Sequence, residues 1–218
     1  MSEKTLNQPS EYEINYIKAL SRKGAVKAYA NWLEVSEAEH LCLSLYIKSN
    51  DCILDLGCGT GRIAKVFGSE IRDYLGIDCS KEMIKAAKRL NPTFNFLCED
   101  IMEPSYIKRD FDIVLLMNNV IDMLHPIERR KEVLNLVNEH LSNNGSVILS
   151  SHLLRQGTVA GYYSEDYHGA IVHTYRSTFN QLCKEIEEGG FEIKIAMRDY
   201  RSGVADWAYI VASKIEGR

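Results

Sequence analysis

The stretch ILDLGCGTG, residues Ile53–Gly61, ends a run of apolar residues in a loop that carries three glycines at alternate positions. A carboxylate, Asp55, stands just before these glycines. The first turn between a strand and a helix of a doubly wound sheet holds ligands, because glycine lets the backbone approach them closely. The stretch therefore predicts a buried strand, a ligand-binding loop and a helix that starts at Arg62.

The chain around this loop alternates between short apolar runs and amphipathic stretches with helical spacing. The apolar runs are CILDL, DYLGID, FNFLCED, FDIVLLM and SVILSS, and the helical stretches begin at Arg62, at Ser80 and near Pro126. Near-continuous apolar strands separated by helices are typical of a parallel sheet that is covered on both faces. The predicted fold class is a doubly wound α/β sheet.

Both ends of the chain depart from this alternation. Helical spacing without proline over Glu11–Lys48 predicts two helices, so that residues 1–48 form a helical cover. Near the other end, two strands joined by the Gly-containing YRSG stretch predict an antiparallel hairpin at one edge of the sheet. We interpret residues 1–214 as a single domain. Residues 215–218, IEGR, match a protease site used to remove affinity tags, and a natural charged tail is the alternative.

Composition narrows the classes of partner and site. Lys and Arg total 26 against 30 Asp and Glu, and neither sign forms a long block, so we expect no nucleic acid and no membrane partner. The polar start MSEKTLNQPSEYE lacks the apolar stretch of a secretory signal, which predicts a cytoplasmic protein. The six cysteines include no CxxC pair, so neither disulfides nor a metal site is expected. The oligomeric state stays open between monomer and homodimer.

The spacing of the glycines argues against a dinucleotide. A dinucleotide loop has the pattern G-x-G-x-x-G with a helix N-terminus facing a pyrophosphate, whereas this loop reads G-x-G-x-G after Asp55. A carboxylate would repel a pyrophosphate, but it suits an ammonium or a sulfonium group. Arg62, directly after the glycines, is predicted to be a solvated helix residue.

Two further acids follow the next predicted strands. Asp78 ends YLGID, where a carboxylate can accept from both hydroxyls of a ribose, and Asp100 ends FLCED, where it can accept from an adenine amino group. Helix capping is the alternative role for Asp55 and Asp78. A ligand with an ammonium group, a ribose and an adenine but no phosphate is S-adenosylmethionine.

These residues carry a family resemblance. LDLGCGTG, GIDCSKEMIKAAK, CEDI, FDIVLLMNNVIDML and LSNNGSVILSS resemble, in order, the motifs of class I, Rossmann-like S-adenosylmethionine-dependent methyltransferases. The resemblance covers about residues 51–151 and implies a seven-stranded, mostly parallel sheet of order 3-2-1-4-5-7-6 with an antiparallel strand 7. It also implies that the cofactor is bound by Asp55, Gly57, Cys58, Gly59, Gly61, Asp78, Cys79, Met83, Asp100, Ile101 and Asn118.

The resemblance assigns a part of the cofactor to most of these residues. Asp55 and Gly57 would hold the methionine moiety, and Asn118 would lie near the transferable methyl. In the nucleoside part, Asp78 would take the ribose and Asp100 with Ile101 the adenine edge. Cys79 and Met83 would surround the adenine, although a methionine at helical spacing is as often a core residue.

The acceptor of the methyl group is less defined. The segment 152–175 is rich in Gly, Tyr and His and too long for an ordinary connection, so we expect it to form a wall of the acceptor pocket. His152 and Asn118 are the catalytic candidates. Tyr163, His168 and His173 are the candidates for contact with the acceptor, although a single histidine is more often structural.

Motifs that are missing narrow the acceptor class. The sequence after the fourth strand reads MNNVID. A resemblance to methyltransferases of nucleobases or glutamine amides would require a motif of the Asn/Asp-Pro-Pro-Tyr type at this place. No Pro-Cys nucleophile is present either. The prediction is methyl transfer to an N or O atom of a small molecule. The alternatives are a methyltransferase for a macromolecule, RNA or protein, and a non-catalytic protein that binds S-adenosylmethionine.

Overall fold

Helices and strands alternate along the computed structural model, which describes residues 9–68, 71–103, 110–154, 157–200 and 206–215. The helices are α1 (Glu11–Leu20), α2 (Lys23–Asn31), α3 (Glu37–Tyr46), α4 (Arg62–Phe67), α5 (Lys81–Leu90), α6 (Glu128–His140) and α7 (Phe179–Glu188). The strands are β1 (Cys52–Leu56), β2 (Asp73–Asp78), β3 (Asn95–Cys98), β4 (Phe111–Leu116), β5 (Leu141–His152), β6 (Gly161–Tyr167), β7 (Ala170–Arg176), β8 (Phe191–Asp199) and β9 (Trp207–Lys214).

Seven strands form the main sheet, in the order β3-β2-β1-β4-β5-β9-β8. The strands from β3 to β5 are parallel, whereas β9 is antiparallel to both β5 and β8. Because β6 and β7 form a separate sheet, β8 and β9 are the sixth and seventh strands of this one. The observed order therefore confirms the predicted 3-2-1-4-5-7-6 with an antiparallel seventh strand. Because parallel strands end at the same edge, β1, β2, β3 and β4 all deliver their following loops to one rim.

The core lies on both faces of the sheet, because successive strand residues point to opposite sides. On one face Leu54 and Leu56 pack with residues of α6 and α7. On the other face Ile53 packs with residues of α3, α4 and α5. The near-continuous apolar composition of the strands follows from this double burial.

Three helices precede the sheet rather than the predicted two. Ser10 begins α1 with a capping box to Glu13, and Ser36 begins α3 by accepting a hydrogen bond from the Glu39 backbone N–H. Helix α1 ends at the cap residue Ser21 and α2 follows without an intervening proline. The continuous apolar spacing therefore gives no sign of the interruption between the two helices. The prediction of two helices was wrong because it treated continuous spacing as continuous helix.

Most of the segment 152–175 forms a separate antiparallel hairpin, β6–β7, which is not part of the main sheet. His168 and Gly169 make its turn with φ angles of 51° and 76°. Helix α1 packs against β7. The hairpin therefore packs against the N-terminal helical region through α1.

Parts of two predicted features fall outside the described residues. They are residues 201–203 of the YRSG turn and residues 216–218 of IEGR. Within the described ranges, no helix has the length and apolarity that a membrane crossing requires.

Candidate active site

The glycine loop after β1 has the geometry that glycine alone tolerates well. Gly57 and Gly61 both have φ 75°, and a Cβ at Gly57 would stand 2.3 Å from a methyl carbon of Val120. Gly59 has φ 54°, but an added Cβ there would meet nothing within 4 Å. The first and last glycines are thus required by the fold, whereas the middle one faces open space that a ligand can fill.

The loop is fastened to the end of β2. The backbone N–H groups of Gly57 and Cys58 donate to the Ile77 carbonyl at 2.8 and 2.9 Å. The Asp78 carboxylate accepts from the Gly59 N–H at 2.9 Å and from the Ser80 N–H at 2.8 Å, one bond on each oxygen. Burial raises the pKa of Asp78, and these two backbone donors lower it. Each oxygen keeps a lone pair for a ligand hydroxyl.

A pocket of about 950 Å³, counting its open part, lies over this loop and is called the cofactor cavity below. Its lining includes nine of the predicted cofactor residues: Gly57, Cys58, Gly59, Asp78, Cys79, Met83, Asp100, Ile101 and Asn118. Helices α1 and α2 cover it with Glu13, Tyr16, Ile17, Leu20 and Tyr29. The structure thus brings most of the predicted set together at one rim, under the N-terminal helices.

Asp55 and Gly61 are not among the described residues that line this cavity. The Asp55 side chain is 2% exposed and accepts a hydrogen bond of 2.5 Å from the Tyr74 hydroxyl. Burial raises the pKa of Asp55 to about 7, although the Tyr74 hydroxyl and Arg62 lower it. Asp55 is therefore held at the end of β1 by Tyr74, and its contact with the methionine moiety stays a prediction.

Arg62 was predicted to be solvated, and this was wrong, since its exposure is 4%. Its guanidinium pairs with Glu39, donates to the Asn118 side-chain oxygen at 3.2 Å and lies 4.8 Å from the Trp32 ring centroid. Its Nε is buried without a hydrogen-bond partner among the described residues. No local signal marks this burial: Lys65 of the same short helix is exposed, and the groups that bury Arg62 come from distant parts of the chain.

Arg129 joins the cover to the sheet rim. Its guanidinium lies 3.0 Å from the Glu13 carboxylate on α1 and 3.6 Å from the Asp100 carboxylate after β3. The Tyr29 hydroxyl on α2 also forms a hydrogen bond with the Tyr167 hydroxyl on the hairpin. Both helices of the cover are therefore held by polar contacts to elements outside residues 1–48.

A second pocket lies beside the cofactor cavity and is called the aromatic cavity below. It has about 500 Å³, counting its open part, and is lined by Trp32, Glu34, Val35, Ser36, Glu39, Asn118, Trp207 and Tyr209. Asn118 lines both cavities.

The backbone holds Asn118 at this boundary. Asn118 and Asn119 have φ angles of 55° and 59°, and the Asn118 N–H donates to the Ser150 hydroxyl at 2.7 Å. The left-handed turn after β4 is a conformation that asparagine tolerates better than most residues. The position agrees with a role near the reacting atoms, which remains a prediction.

His152 lies at the end of β5 but lines neither cavity in the described part of the chain. Its ring lies 4.2 Å from the Trp207 ring, and its Nδ1 is 3.6 Å from the Asp122 carboxylate. Asp122 also accepts from the Ser151 hydroxyl at 2.6 Å and from the His152 backbone N–H at 2.8 Å. Burial raises the pKa of Asp122 to about 7, and Arg130 lowers it. His152 therefore contacts the lining of the aromatic cavity through Trp207.

The three residues predicted to contact the acceptor are also not among the described residues that line either cavity. The Tyr163 hydroxyl donates to the Val159 carbonyl at 2.5 Å, and the His168 carbonyl in the hairpin turn accepts from Arg22 at 2.9 Å. The His173 ring stacks on Tyr12 of α1 at 4.0 Å. The described part of the segment packs against α1, and its role as a wall of the acceptor pocket stays a prediction.

The chain is similar to known methyltransferases. Residues 53–145 match the family model described as a methyltransferase domain. A Methanocaldococcus jannaschii protein described as uncharacterised is 31% identical over 148 residues, which are 60% of this chain and 63% of that protein. The dTDP-3-amino-3,4,6-trideoxy-alpha-D-glucopyranose N,N-dimethyltransferase of Streptomyces venezuelae is 25% identical over 198 residues, 88% of this chain and 80% of that enzyme.

A solved structure shares the fold over most of its length. The Burkholderia thailandensis 1,6-didemethyltoxoflavin-N1-methyltransferase, with bound 1,6-didemethyltoxoflavin and S-adenosylhomocysteine, superposes with a TM-score of 0.74 at 16% identity. The match covers 96% of this chain and 93% of that one. Together with the sheet order, this superposition shows that the chain has the Rossmann-like fold of class I methyltransferases, and residues 53–145 match the model of a methyltransferase domain. The resemblance read from the motifs is confirmed. The aligned region of the M. jannaschii protein is less than two thirds of its length.

Proposed function

We propose that this chain binds S-adenosylmethionine in the cofactor cavity and transfers its methyl group to an N or O atom of a small molecule. The observation that carries the proposal is the cavity itself. It joins the open middle glycine, Gly59, to three groups at successive strand ends, Asp78, Asp100 and Asn118. Each group suits a different part of the cofactor.

The nucleoside part fits the outer strands. Asp78 would accept from the ribose hydroxyls, because its oxygens are held by backbone donors and each retains a lone pair. Asp100 would accept from the adenine amino group. Cys79, Met83 and Ile101 also line the cavity and would provide apolar surface for the adenine ring.

The amino-acid part fits the glycine loop and the first turn of α4. The open space at Gly59 lets the cofactor approach the backbone. The buried Nε of Arg62 has no hydrogen-bond partner within the described ranges, and the cofactor carboxylate would satisfy this donor. Leaving such a donor unsatisfied is costly. Arg62 is thus an addition to the predicted set.

The cofactor supplies a methyl group on a positively charged sulfur. The neutral thioether that remains after the transfer is a good leaving group. The protein's part is then to position the acceptor, align it with the sulfur–methyl bond and exclude water. Helices α1 and α2 provide the cover, and Asn118 stands between the two cavities where an acceptor would meet the cofactor. No general base is required when the acceptor loses its proton to water.

A small acceptor is supported by charge and by relatives. The formal net charge is −4, which does not favour a polyanion such as RNA. The S. venezuelae enzyme and the B. thailandensis enzyme are both named for N-methylation of small molecules. An aromatic cavity of limited volume beside the cofactor cavity agrees with an acceptor of this size.

Calorimetry in the presence of a chelator tests the cofactor assignment. We expect S-adenosylmethionine and S-adenosylhomocysteine to bind, because the loop and the rim acids supply the contacts. S-adenosylhomocysteine release with panels of small amines and alcohols then tests transfer. Absence of binding for both nucleosides would refute the proposal. Binding with no transfer to any panel member, and transfer to RNA or protein instead, would favour a macromolecular acceptor.

A further inference from the structure

We propose that the aromatic cavity binds the methyl acceptor and that this acceptor is a small molecule carrying a protonatable amine. This inference rests on the proposed function, and it adds the position of the acceptor and its chemical class. It depends on three properties of the aromatic cavity: its rings, its charge and its border with the cofactor cavity.

The rings of this cavity suit a cation. Trp207 and Tyr209 lie nearly parallel, with 15° between their planes and 6.2 Å between their centroids, and Trp32 completes the aromatic lining. Tryptophan and tyrosine faces attract ammonium groups through the ring quadrupole. The guanidinium of Arg62 already makes such a contact with Trp32, at 4.8 Å.

The charge of this cavity also suits a cation. Its ionisable lining residues in the described chain are two carboxylates, Glu34 and Glu39, together with the Tyr209 phenol, and no Lys, Arg or His belongs to the lining. Arg62 pairs with Glu39, so the two charges offset each other. Glu34 is exposed, and its backbone carbonyl accepts from Arg62 at 3.0 Å. With Glu39 paired, Glu34 leaves the described lining with a net negative charge.

The border with the cofactor cavity places the acceptor within reach of the methyl group. Asn118 lines both cavities, and its side-chain oxygen is held by Arg62 at 3.2 Å. The ammonium form of the acceptor first loses its proton to water. The nitrogen lone pair then forms the new N–C bond as the carbon–sulfur bond breaks, and that electron pair stays on sulfur. The methylated nitrogen carries the positive charge and later releases a proton.

The chain's own tryptophans report on this cavity. The sequence has 2 tryptophans, and both of them, Trp32 and Trp207, line the aromatic cavity. Protein saturated with S-adenosylhomocysteine is titrated with phenethylamine or with 2-phenylethanol, which share a phenyl body and differ in charge. We expect phenethylamine to change the tryptophan emission and to bind at least about fivefold more tightly than the alcohol.

A matched pair of variants tests the role of the carboxylate. Glu34→Gln removes the charge at the cavity, whereas Glu37→Gln removes an exposed carboxylate that is not in the lining, on the first turn of α3. We expect Glu34→Gln to weaken phenethylamine binding about two- to fivefold and to leave alcohol binding unchanged. Glu37→Gln should change neither.

The outcomes separate the two proposals. Equal binding of the amine and the alcohol, no change in emission, or equal effects of the two variants would overturn this inference. In that case, normal calorimetry with S-adenosylhomocysteine would leave the proposed function standing. Failure of both S-adenosylmethionine and S-adenosylhomocysteine to bind would instead remove the proposed function, and this inference would fall with it.

Discussion

At the scale of single residues, two acids at the ends of neighbouring strands differ in their surroundings. The Asp78 carboxylate lines the cofactor cavity and is held there by two backbone donors. The Asp55 carboxylate is buried near the end of β1 and is held by the Tyr74 hydroxyl. Asp78 thus belongs to the lining of the cavity, whereas Asp55 is not among the described lining residues.

Replacement of Asp78 by alanine should weaken binding of S-adenosylhomocysteine by about 1.5 to 3 kcal/mol, the usual range for hydrogen bonds to a charged group. Calorimetry on folded protein measures this loss. Glu82→Ala, an exposed acid on the first turn of α5, is the control and should bind normally. Unchanged affinity of the Asp78 variant would move the ribose contact elsewhere.

Replacement of Asp55 by asparagine should flatten the pH dependence of stability. The pKa of Asp55 is about 7 in the folded state and near 3.9 in an unfolded chain. Between these values the unfolded state releases a proton that the folded state keeps, so the free energy of unfolding falls as the pH rises from about 4 to about 7. The introduced asparagine side chain does not titrate in this range, and its amide oxygen can still accept from Tyr74.

Urea unfolding of both proteins without ligand, from about pH 4 to about pH 8, checks this expectation. Asp122 contributes with the same sign in both proteins, so the difference between them isolates Asp55. Parallel pH profiles for the two proteins would show that Asp55 is ionised in the native state throughout.

At the scale of elements, the glycine loop and the N-terminal helices enclose the cofactor cavity from opposite sides. The loop is fastened to β2 through backbone hydrogen bonds to Ile77, so its position does not depend on side-chain rotamers. The cover is fastened through side chains, chiefly the pair of Arg129 and Glu13. We therefore expect the loop to be the rigid wall and the cover the adjustable one.

Alanine substitutions at two glycines of the loop should separate folding from binding. Gly57→Ala should destabilise the fold by about 2 to 5 kcal/mol, from a left-handed residue and a clash with Val120. Gly59→Ala should cost only about 1 kcal/mol in stability, because no neighbour is close, yet it should weaken cofactor binding. Denaturation and calorimetry on both variants measure the two effects. Equal losses of stability would contradict this assignment.

Loss of the Glu13 charge should loosen the cover. Glu13→Gln leaves Arg129, which is 1% exposed, without one of its carboxylate partners. Amide hydrogen exchange in α1 should speed up by about tenfold or more, with α7 unchanged as the internal reference. Glu11→Gln, an exposed acid on the same first turn, should leave exchange as it is. Equal exchange rates in both variants would show that the ion pair does not hold α1.

At the scale of the whole molecule, the sheet rim carries two adjoining cavities with Asn118 between them. The N-terminal helices contribute to both, since α1 and α2 line the cofactor cavity while Trp32 and the residues after it line the aromatic cavity. The hairpin β6–β7 packs against α1 through β7. A ligand in the cofactor cavity therefore touches the sheet and the cover together.

Ligand binding should stabilise the whole fold. At about 100 times its dissociation constant, S-adenosylhomocysteine should add about 2.7 kcal/mol to the free energy of unfolding. The melting temperature should rise by about 5 to 11 °C for a chain of this size. Circular dichroism melts in chelator measure the shift, and Asp78→Ala at the same concentration should show a smaller one. A shift that requires added metal would contradict the assigned contacts.

Local patterns were enough to predict the sheet and most of the cofactor cavity. Strand residues buried on both faces give continuous apolar runs, and glycines with positive φ mark the loop. Acids at strand ends, such as Asp78 and Asp100, could be placed at one rim because parallel strands end together. Each of these inferences depends on residues that are neighbours in sequence or on a rule of sheet topology.

Tertiary packing alone decided the rest. Arg62 looks like a surface residue in the sequence, and it is buried because Glu39, Asn118 and Trp32 converge on it from distant elements. The segment 152–175 has the composition of a pocket wall, and only the structure shows that its hairpin packs against α1. Such placements depend on contacts between residues far apart in the chain, and a one-dimensional pattern carries no record of them.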